Sequence, residues 1–367
     1  MKIKAAICRR PGQPFVVEEV EIEDPRPDEV LVRLVATGVC HTDMVMRDQG
    51  LPVPLPAVLG HEGAGVVEKV GADVAECAPG DPVVMSFNSC GRCPSCADRA
   101  PAYCHDFFPR NFLGRRPDGT SGLSQGGEAI NGEIFGQSSF ATYALCHRAN
   151  VVKVRKDAPL KLLGPLGCGI QTGAGTILEA LRVRPGAAVA ILGAGAVGLS
   201  AVMAARIAKA GTIAVADLHR GRLETAMALG ATHAVEAAPG QSIDQLVGPD
   251  RLAGFDYMVD TTGVGDVVNA AAMTLAPRGV LALVGAYSPD ARLCLDMAFL
   301  MSAGRSVVGV VEGGVEPAQF IPRLVDYYMS GELPLDRLVR FFPFDQINEA
   351  VRASETGAVI KPVLVFQ

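Results

Sequence analysis

The chain has no excess of basic residues: 33 Lys and Arg stand against 39 Asp and Glu, a formal charge of -6. The cations are scattered rather than clustered, so a nucleic-acid partner is not expected. No run of about 18 apolar residues exists, which argues against a transmembrane helix and a membrane partner. The opening, MKIKAAICRRPG, is basic but lacks the apolar stretch of a secretory leader. Without such a leader, ten cysteines point to metal binding or redox chemistry before disulfides, and a cytoplasmic location is expected. What remains is 49% hydrophobic, with 41 Gly and 25 Pro in 367 residues. That fits a globular α/β protein with many tight turns, long enough for two domains that each bury a core.

Of the residues present, the stretch from Gly38 to Glu62 carries the most chemistry. It opens GVCHTD and closes GHEGAG, so Cys40 and His61 supply the sulfur and imidazole nitrogen that zinc favours. Thr42 and Asp43 add a hydroxyl and a carboxylate beside the cysteine. The best candidate for a third ligand is Cys168, far downstream in LGPLGCGIQTGAG. Two sulfurs, one imidazole and an open position are the ligand set of a catalytic zinc rather than a structural one. Taken singly, Cys40 reads better as a buried free thiol and His61 as a hydrogen-bonded core histidine; the rest of the chain overturns that reading in favour of the metal.

The sharpest spacing is CGRCPSCADRAPAYC. Cys90, Cys93 and Cys96 recur every third residue, and Cys104 follows eight residues later. Four thiolates in a Gly/Pro-rich loop close a tetrahedron around zinc and leave no open position. The loop has almost no apolar residues, so a metal would supply its folding energy. Two disulfides or four free thiols are the alternatives, and neither accounts for the doubled C-x-x-C spacing.

Short β-branched runs at 4–8, 15–22, 30–36, 63–70 and 82–87, resuming at 139–145, predict a compact, partly closed antiparallel domain. Residues 107–137 are Gly-rich and follow neither the strand nor the helix period. Phe107, Phe108 and Phe112 make this segment either an ordered flap against the domain or a solvent loop pinned by local apolar contacts. From about residue 170 apolar runs at 188–192, 213–216, near 234, 257–260, 280–284 and 307–311 alternate with helical segments. Such strands imply a parallel sheet covered on both faces. Helical stripes at Phe320, Leu324, Ile347 and Val351, and a last strand at 359–366, are expected to return to the first domain. The expected division is 1–169, with the metal loop at 90–104, then 170–305, then 306–367.

The run 188–192 ends in GAGAVG, placing Gly193, Gly195 and Gly198 between a buried strand and a helix. The first glycine permits the turn, the second lets backbone approach a pyrophosphate, and the third lets helix pack on strand. The phosphates would sit at the helix N-terminus. Asp217 ends the next strand, placed to bond the adenosine ribose and repel a 2′-phosphate, which favours NAD over NADP. His219, Arg220 and Arg222 lie close by and soften that preference.

In this order, over essentially the full length, the motifs resemble those of the zinc-dependent medium-chain alcohol dehydrogenases. The likeness is closest to the NAD-dependent aryl-alcohol (benzyl alcohol) branch, in PVPLPAVLGHEGAG, GQSSFATYA, LGPLGCGIQTGAG, VVEGG with FIPRLVDYY, and FDQINEA. SFNSCG and the ending IKPVLVF are shared with a neighbouring branch that oxidises allylic terpene alcohols such as geraniol. The resemblance implies a GroES-like, mainly antiparallel β catalytic domain plus a Rossmann doubly wound parallel sheet. It implies two zinc ions per chain, a catalytic one on Cys40, His61 and Cys168 and a structural one on Cys90, Cys93, Cys96 and Cys104.

It further assigns Glu62 beside the zinc or in transient ligation, Asp43 to orienting His61, and Thr42 to taking the alcohol's proton. Thr172 falls near the nicotinamide; His41 and Lys361 match positions near the pyrophosphate, although His41 reads as well as a solvent-facing residue. The expected partners are a small-molecule alcohol or aldehyde and further copies of the chain, as a homodimer or homotetramer, with 292–296 pairing across a two-fold axis. Many members carry a histidine a few residues after the zinc cysteine to pass a proton outward. Here that place is Val45, which holds no proton, and the aryl-alcohol branch also tends to lack the histidine. The alternatives are terpenol or broad primary-alcohol oxidation and a non-catalytic nucleotide-binding protein; the latter is disfavoured because Cys40, His61 and Cys168 are all present.

Overall fold

The structure is a computed structural model and describes residues 1–237 and 254–366. It forms two compact units, Met1–Cys168 with Glu316–Gln367, and Gly169–Val315.

The first unit opens with β1 (Lys2–Cys8) and β2 (Val16–Ile22), antiparallel partners. Next come β3 (Glu29–Gly38), α1 (His41–Arg47), β4 (Ala57–Val58), β5 (Gly63–Val70) and β6 (Pro82–Met85). After α2 (Pro94–Ala97) and α3 (Phe107–Phe112) the chain makes four short strands. These are β7 (Leu123–Gln125), β8 (Glu128–Ile130), β9 (Tyr143–His147) and β10 (Val151–Lys153). One sheet runs β4-β1-β2-β7-β8. In the other, β10, β6, β5 and β3 are successive neighbours and β9 pairs with β3. Ile3, Ile7, Val20, Leu59, Ile134 and Phe140 meet in the larger core of this unit.

The 107–137 segment is therefore ordered. It holds the one-and-a-half-turn helix α3 and a hairpin, β7 to β8, whose Gly126 and Gly127 both take positive φ. Its strands are three residues each, too short to show alternation.

The second unit begins with the buried helix α4 (Gly169–Gly175). It then alternates β11 (Ala188–Leu192), α5 (Ala196–Ile207), β12 (Thr212–Asp217), α6 (Arg220–Leu229) and β13 (His233–Glu236). β14 (Phe255–Asp260), α7 (Gly265–Ala272), β15 (Leu275–Leu283), α8 (Met297–Ala303) and β16 (Ser306–Gly309) follow. All pairs are parallel, in the order β13-β12-β11-β14-β15-β16. The order reverses beside β11, where a nucleotide crevice opens in doubly wound sheets. The fold is thus the expected GroES-like unit plus a Rossmann-type sheet. The boundary expected at 305/306 shifts: β16 pairs with β15, so 306–315 stay with the second unit.

The chain then returns to the first unit through α9 (Pro317–Met329), β17 (Val339–Pro343), α10 (Ile347–Glu355) and β18 (Lys361–Val365). α9 buries Phe320, Ile321, Leu324 and Val325, and α10 buries Ile347, Ala350 and Val351, each the apolar stripe of a helix lying on a core. β18 pairs with β3 and β17 extends the sheet. No helix among the described residues is long and apolar enough to cross a membrane.

Candidate metal centre and nucleotide loop

β3 ends at Gly38, and the chain turns directly into α1, so Cys40 sits at the helix N-cap. His61 lies just before β5, the neighbour of β3. Adjacent strands thus deliver the two ligands to one place. Cys168 arrives from the last residue of the first unit's leading segment, and the three ligand atoms lie within 4.8 Å of one another.

Asp43 fastens this group. Its Oδ2 accepts from the Cys40 backbone N–H at 3.0 Å; its Oδ1 accepts from the Gly60 N–H at 3.0 Å and meets His61 Nδ1 at 2.9 Å. Asp43 and His61 are both essentially without solvent exposure. With Nδ1 occupied, the other ring nitrogen, Nε2, is buried and makes no hydrogen bond. An orphaned buried nitrogen is costly unless something else binds it. Beside it, the Cys168 thiol, against the effect of burial and with help from His61, holds the Cys40 thiol well below its usual range. Burial alone would lower the His61 imidazole, but the Asp43 carboxylate and Cys40 raise it well above its ordinary value. A cation that binds here takes both ligand atoms deprotonated and displaces their protons. The set fits zinc as three of the four donors of a tetrahedral ion.

Glu62 is also fully buried, and Lys361 of β18 reaches it across 299 residues of sequence, with Nζ at 2.9 Å from both carboxylate oxygens and 3.2 Å from the Val39 carbonyl. The Lys361 ammonium is therefore committed to Glu62. Gly38 makes room for it: a Cβ there would stand 2.0 Å from Glu62 Oε2. Thr42 is half-buried on the first turn of α1 beside the triad, whereas His41 is exposed. Val45, one turn on, is half-buried and offers no hydrogen-bonding side chain.

The four-cysteine loop folds around its own sulfurs. Cys93 Sγ lies 3.5 Å from Cys96 and 4.0 Å from Cys104, and Cys90 lies 3.9 Å from Cys96. Disulfide sulfurs would be about 2.05 Å apart; a zinc tetrahedron with Zn–S of about 2.3 Å sets them about 3.8 Å apart. None of the ten cysteines is in a disulfide. Backbone N–H groups of His105 and Cys96 point at Cys93 and lower its thiol to about 6.

In the second unit, Gly193 turns at φ 93°, and a Cβ on Gly198 would stand 1.9 Å from the Gly193 carbonyl, so both glycines are required by the loop itself. Gly195, the N-cap of α5, is different: a Cβ there meets nothing within 4 Å. That open space at a helix N-terminus suits an anion's approach. Asp217 closes β12 and accepts from the Ala194 N–H at 2.6 Å and the His219 N–H at 2.8 Å, tying the next loop to the glycine turn. Arg222 Nε is buried without a hydrogen-bond partner. Thr172 sits in α4 with its hydroxyl 3.5 Å from Glu312, to which Gln171 donates at 2.9 Å.

Sequence reasoning did not single out Glu312, Gln137 or Phe135. Gln137 accepts from the Gly63 N–H and donates to the His61 and Ser86 carbonyls, bracketing the histidine's backbone. Phe135 lies against the His61 ring, with centroids 4.4 Å apart and planes 21° from parallel. The motif GQSSFATYA drew attention to Gln137 only as part of a likeness.

Comparison with known proteins agrees with this picture. Residues 26–156 match the family described as alcohol dehydrogenase GroES-like domain, and residues 196–327 the family described as zinc-binding dehydrogenase. A geraniol dehydrogenase from Castellaniella defragrans is 45% identical over 364 residues, 99% of this chain and 97% of its own. The crystal structure of benzyl alcohol dehydrogenase from Acinetobacter calcoaceticus superposes with a TM-score of 0.96 at 43% identity, covering 100% of both chains. An alcohol dehydrogenase zinc-binding domain protein from Burkholderia ambifaria gives 0.97 at 48%, covering 100% of this chain and 99% of its own.

Proposed function

Because this chain belongs to the zinc-binding medium-chain alcohol dehydrogenases, we propose that it oxidises primary alcohols borne on an aromatic or allylic carbon to aldehydes, reversibly, with NAD. The observation that carries the reading is the Cys40–His61–Cys168 set, half-buried at Cys40 and buried at the other two, with His61 Nε2 lacking a partner. When bound, zinc lowers the pKa of an alcohol oxygen as a Lewis acid, and NAD accepts hydride. The chain's own residues do the rest. Asp43 fixes the imidazole and makes it more basic. Thr42 takes the proton from the alcohol, and its hydroxyl, both donor and acceptor, passes it on without a histidine at Val45. Lys361 neutralises Glu62 at the edge of the site. A second zinc on Cys90, Cys93, Cys96 and Cys104 holds the loop.

Gly193, Gly195 and Gly198 receive the pyrophosphate, with Thr172 toward the nicotinamide and Arg222 toward the adenosine side. The Asp217 carboxylate repels a 2′-phosphate. The relatives' names, geraniol and benzyl alcohol, share a primary hydroxyl one carbon from an sp2 carbon, and oxidation there yields a conjugated aldehyde. Met297 and Met301 of α8, the helix that leads into the edge strand β16, are 86% and 77% exposed, supporting a contact between copies in a homodimer or homotetramer.

The test is an alcohol panel with NAD and with NADP. Burying a phenyl-sized group contributes about 1.5–3 kcal/mol, so benzyl or cinnamyl alcohol should exceed ethanol about ten- to a hundredfold in kcat/KM. Equal efficiency for ethanol rejects the aryl reading, and a clear lead for geraniol assigns the terpenol branch. NADP should be poor, and Asp217→Gly should narrow the gap; equal use of both cofactors by the wild type overturns the role of Asp217.

A further inference from the structure

We propose that Phe135 is a positioning residue that fixes the direction of His61 Nε2, and that α3 seats it from behind; this rests on the zinc reading above. The Asp43 bond holds Nδ1 but leaves the imidazole free to rock about that contact. The Phe135 ring removes this freedom by covering one imidazole face at 4.4 Å. Both rings are buried, so the contact is not shared with water.

The backbone shows that the ring is what the position is for. Phe135 has φ 50° and ψ 29°, the left-handed region that a phenylalanine avoids. The loop already has a glycine next to it, Gly136, also at positive φ. A second glycine would satisfy the turn; a phenylalanine held there delivers a flat face to His61.

Behind Phe135 stands a column of aromatics. Phe112 meets it edge-on at 5.1 Å and 80°, and Phe108 and Phe107 pack on Phe112 at 5.2 and 6.3 Å. α3, which carries all three, starts directly after the four-cysteine loop, with the Phe107 N–H on the Cys104 carbonyl at 2.9 Å. The fully buried Asn111 locks the helix in place: its Oδ1 accepts from the Asn88 N–H, and its Nδ2 donates to the Asn88 and Phe107 carbonyls. The four-thiolate loop thus anchors a helix whose Phe112 seats Phe135, and Phe135 seats the histidine.

The test is chelator-driven zinc release from the purified holoenzyme, followed with a zinc indicator, together with the visible spectrum after cobalt(II) exchange into the three-ligand site. In Phe135→Leu, which keeps apolar bulk but removes the flat face, release from that site should speed about two- to tenfold, the range of an aromatic pair's contribution beyond burial. Its cobalt bands should shift while release of the four-thiolate zinc stays unchanged. Phe135→Tyr should behave as wild type. Phe112→Leu should move release the same way but less, and the double variant should be no worse than Phe135→Leu alone, since Phe112 acts through Phe135. Wild-type release and spectrum in folded Phe135→Leu would overturn the proposal while leaving the zinc reading intact. Should Phe135→Leu fail to fold, unchanged release in Phe112→Leu would overturn it. A wild type with no zinc in the three-ligand site would overturn both.

Discussion

Glu133→Gln should stabilise the protein, and increasingly so as pH rises. Glu133 sits 7% exposed in the first unit, near an arginine whose charge is already used. Arg116 gives Nε and Nη2 to the two oxygens of Glu29 at 2.6 and 2.9 Å and Nη1 to Glu23 at 2.8 Å; Glu133 is left 3.9 Å from Nε. Burial, with Glu29 adding and Arg116 opposing, pushes the Glu133 carboxyl from its ordinary 4.5 up to about 8. The sign follows. Between these values the unfolded chain is ionised and the folded chain holds a proton, so the group's contribution is fully present below 4.5 and lost as pH climbs through about 8. At pH 7 the loss spans about 2.5 pH units at about 1.4 kcal/mol each, or about 3 kcal/mol. Glutamine keeps the shape and stays neutral, so the variant avoids this loss. For a unit of this size the gain corresponds to a Tm higher by roughly 6–12 °C at pH 7, falling to about 2 °C near pH 5. Melting curves of wild type and Glu133→Gln at both pH values, at fixed zinc, measure it. A Tm difference independent of pH, or a variant less stable at pH 7, would refute the account of this cluster.

Metal content should separate the two cysteine sets: wild type should carry two zinc ions per chain, Cys168→Ser one zinc in a folded protein without turnover, and Cys104→Ser should chiefly lose stability and yield. One zinc in the wild type with a fully stable Cys104→Ser contradicts this. Thr42→Val should slow single-turnover hydride transfer by about 10²–10⁴, the usual worth of a positioned proton acceptor, while metal content is kept, and Thr42→Ser should retain much of the rate. A Thr42→Val rate near wild type would mean the proton leaves by another group.

Local features could be read from the sequence; contacts between distant segments could not. Cys40 and Asp43 share one short motif that opens at Gly38, and His61 sits between Gly60 and Gly63, so their chemistry shows in the spelling. The alternation after residue 170 reports its own sheet because its central strands are buried apolar runs, AVAIL in β11 and IAVA in β12. The bond from Lys361 to Glu62 spans 299 residues and depends on β18 lying beside β3, which no local pattern states. The same holds for Phe135 on His61 and for Arg116 between Glu23, Glu29 and Glu133. α3 shows no helical period because its six residues, FFPRNF, make less than two turns, include Pro109 and bury the polar Asn111 while exposing Phe108. The tail lies in the first unit only from Glu316, and β17 within it shows no strand period, its Arg340 and Phe341 both exposed and its alternation broken.

The most direct test follows the hydrogen itself. Wild-type holoenzyme is given NAD and benzyl alcohol with both carbinol hydrogens replaced by deuterium, and the reduced cofactor and the water are analysed for the label. The account predicts one deuterium per turnover on the nicotinamide ring, none in water, and no transfer in folded Cys168→Ser. A wild type with both metals bound that leaves NAD unreduced, or transfer that persists in Cys168→Ser, would contradict it.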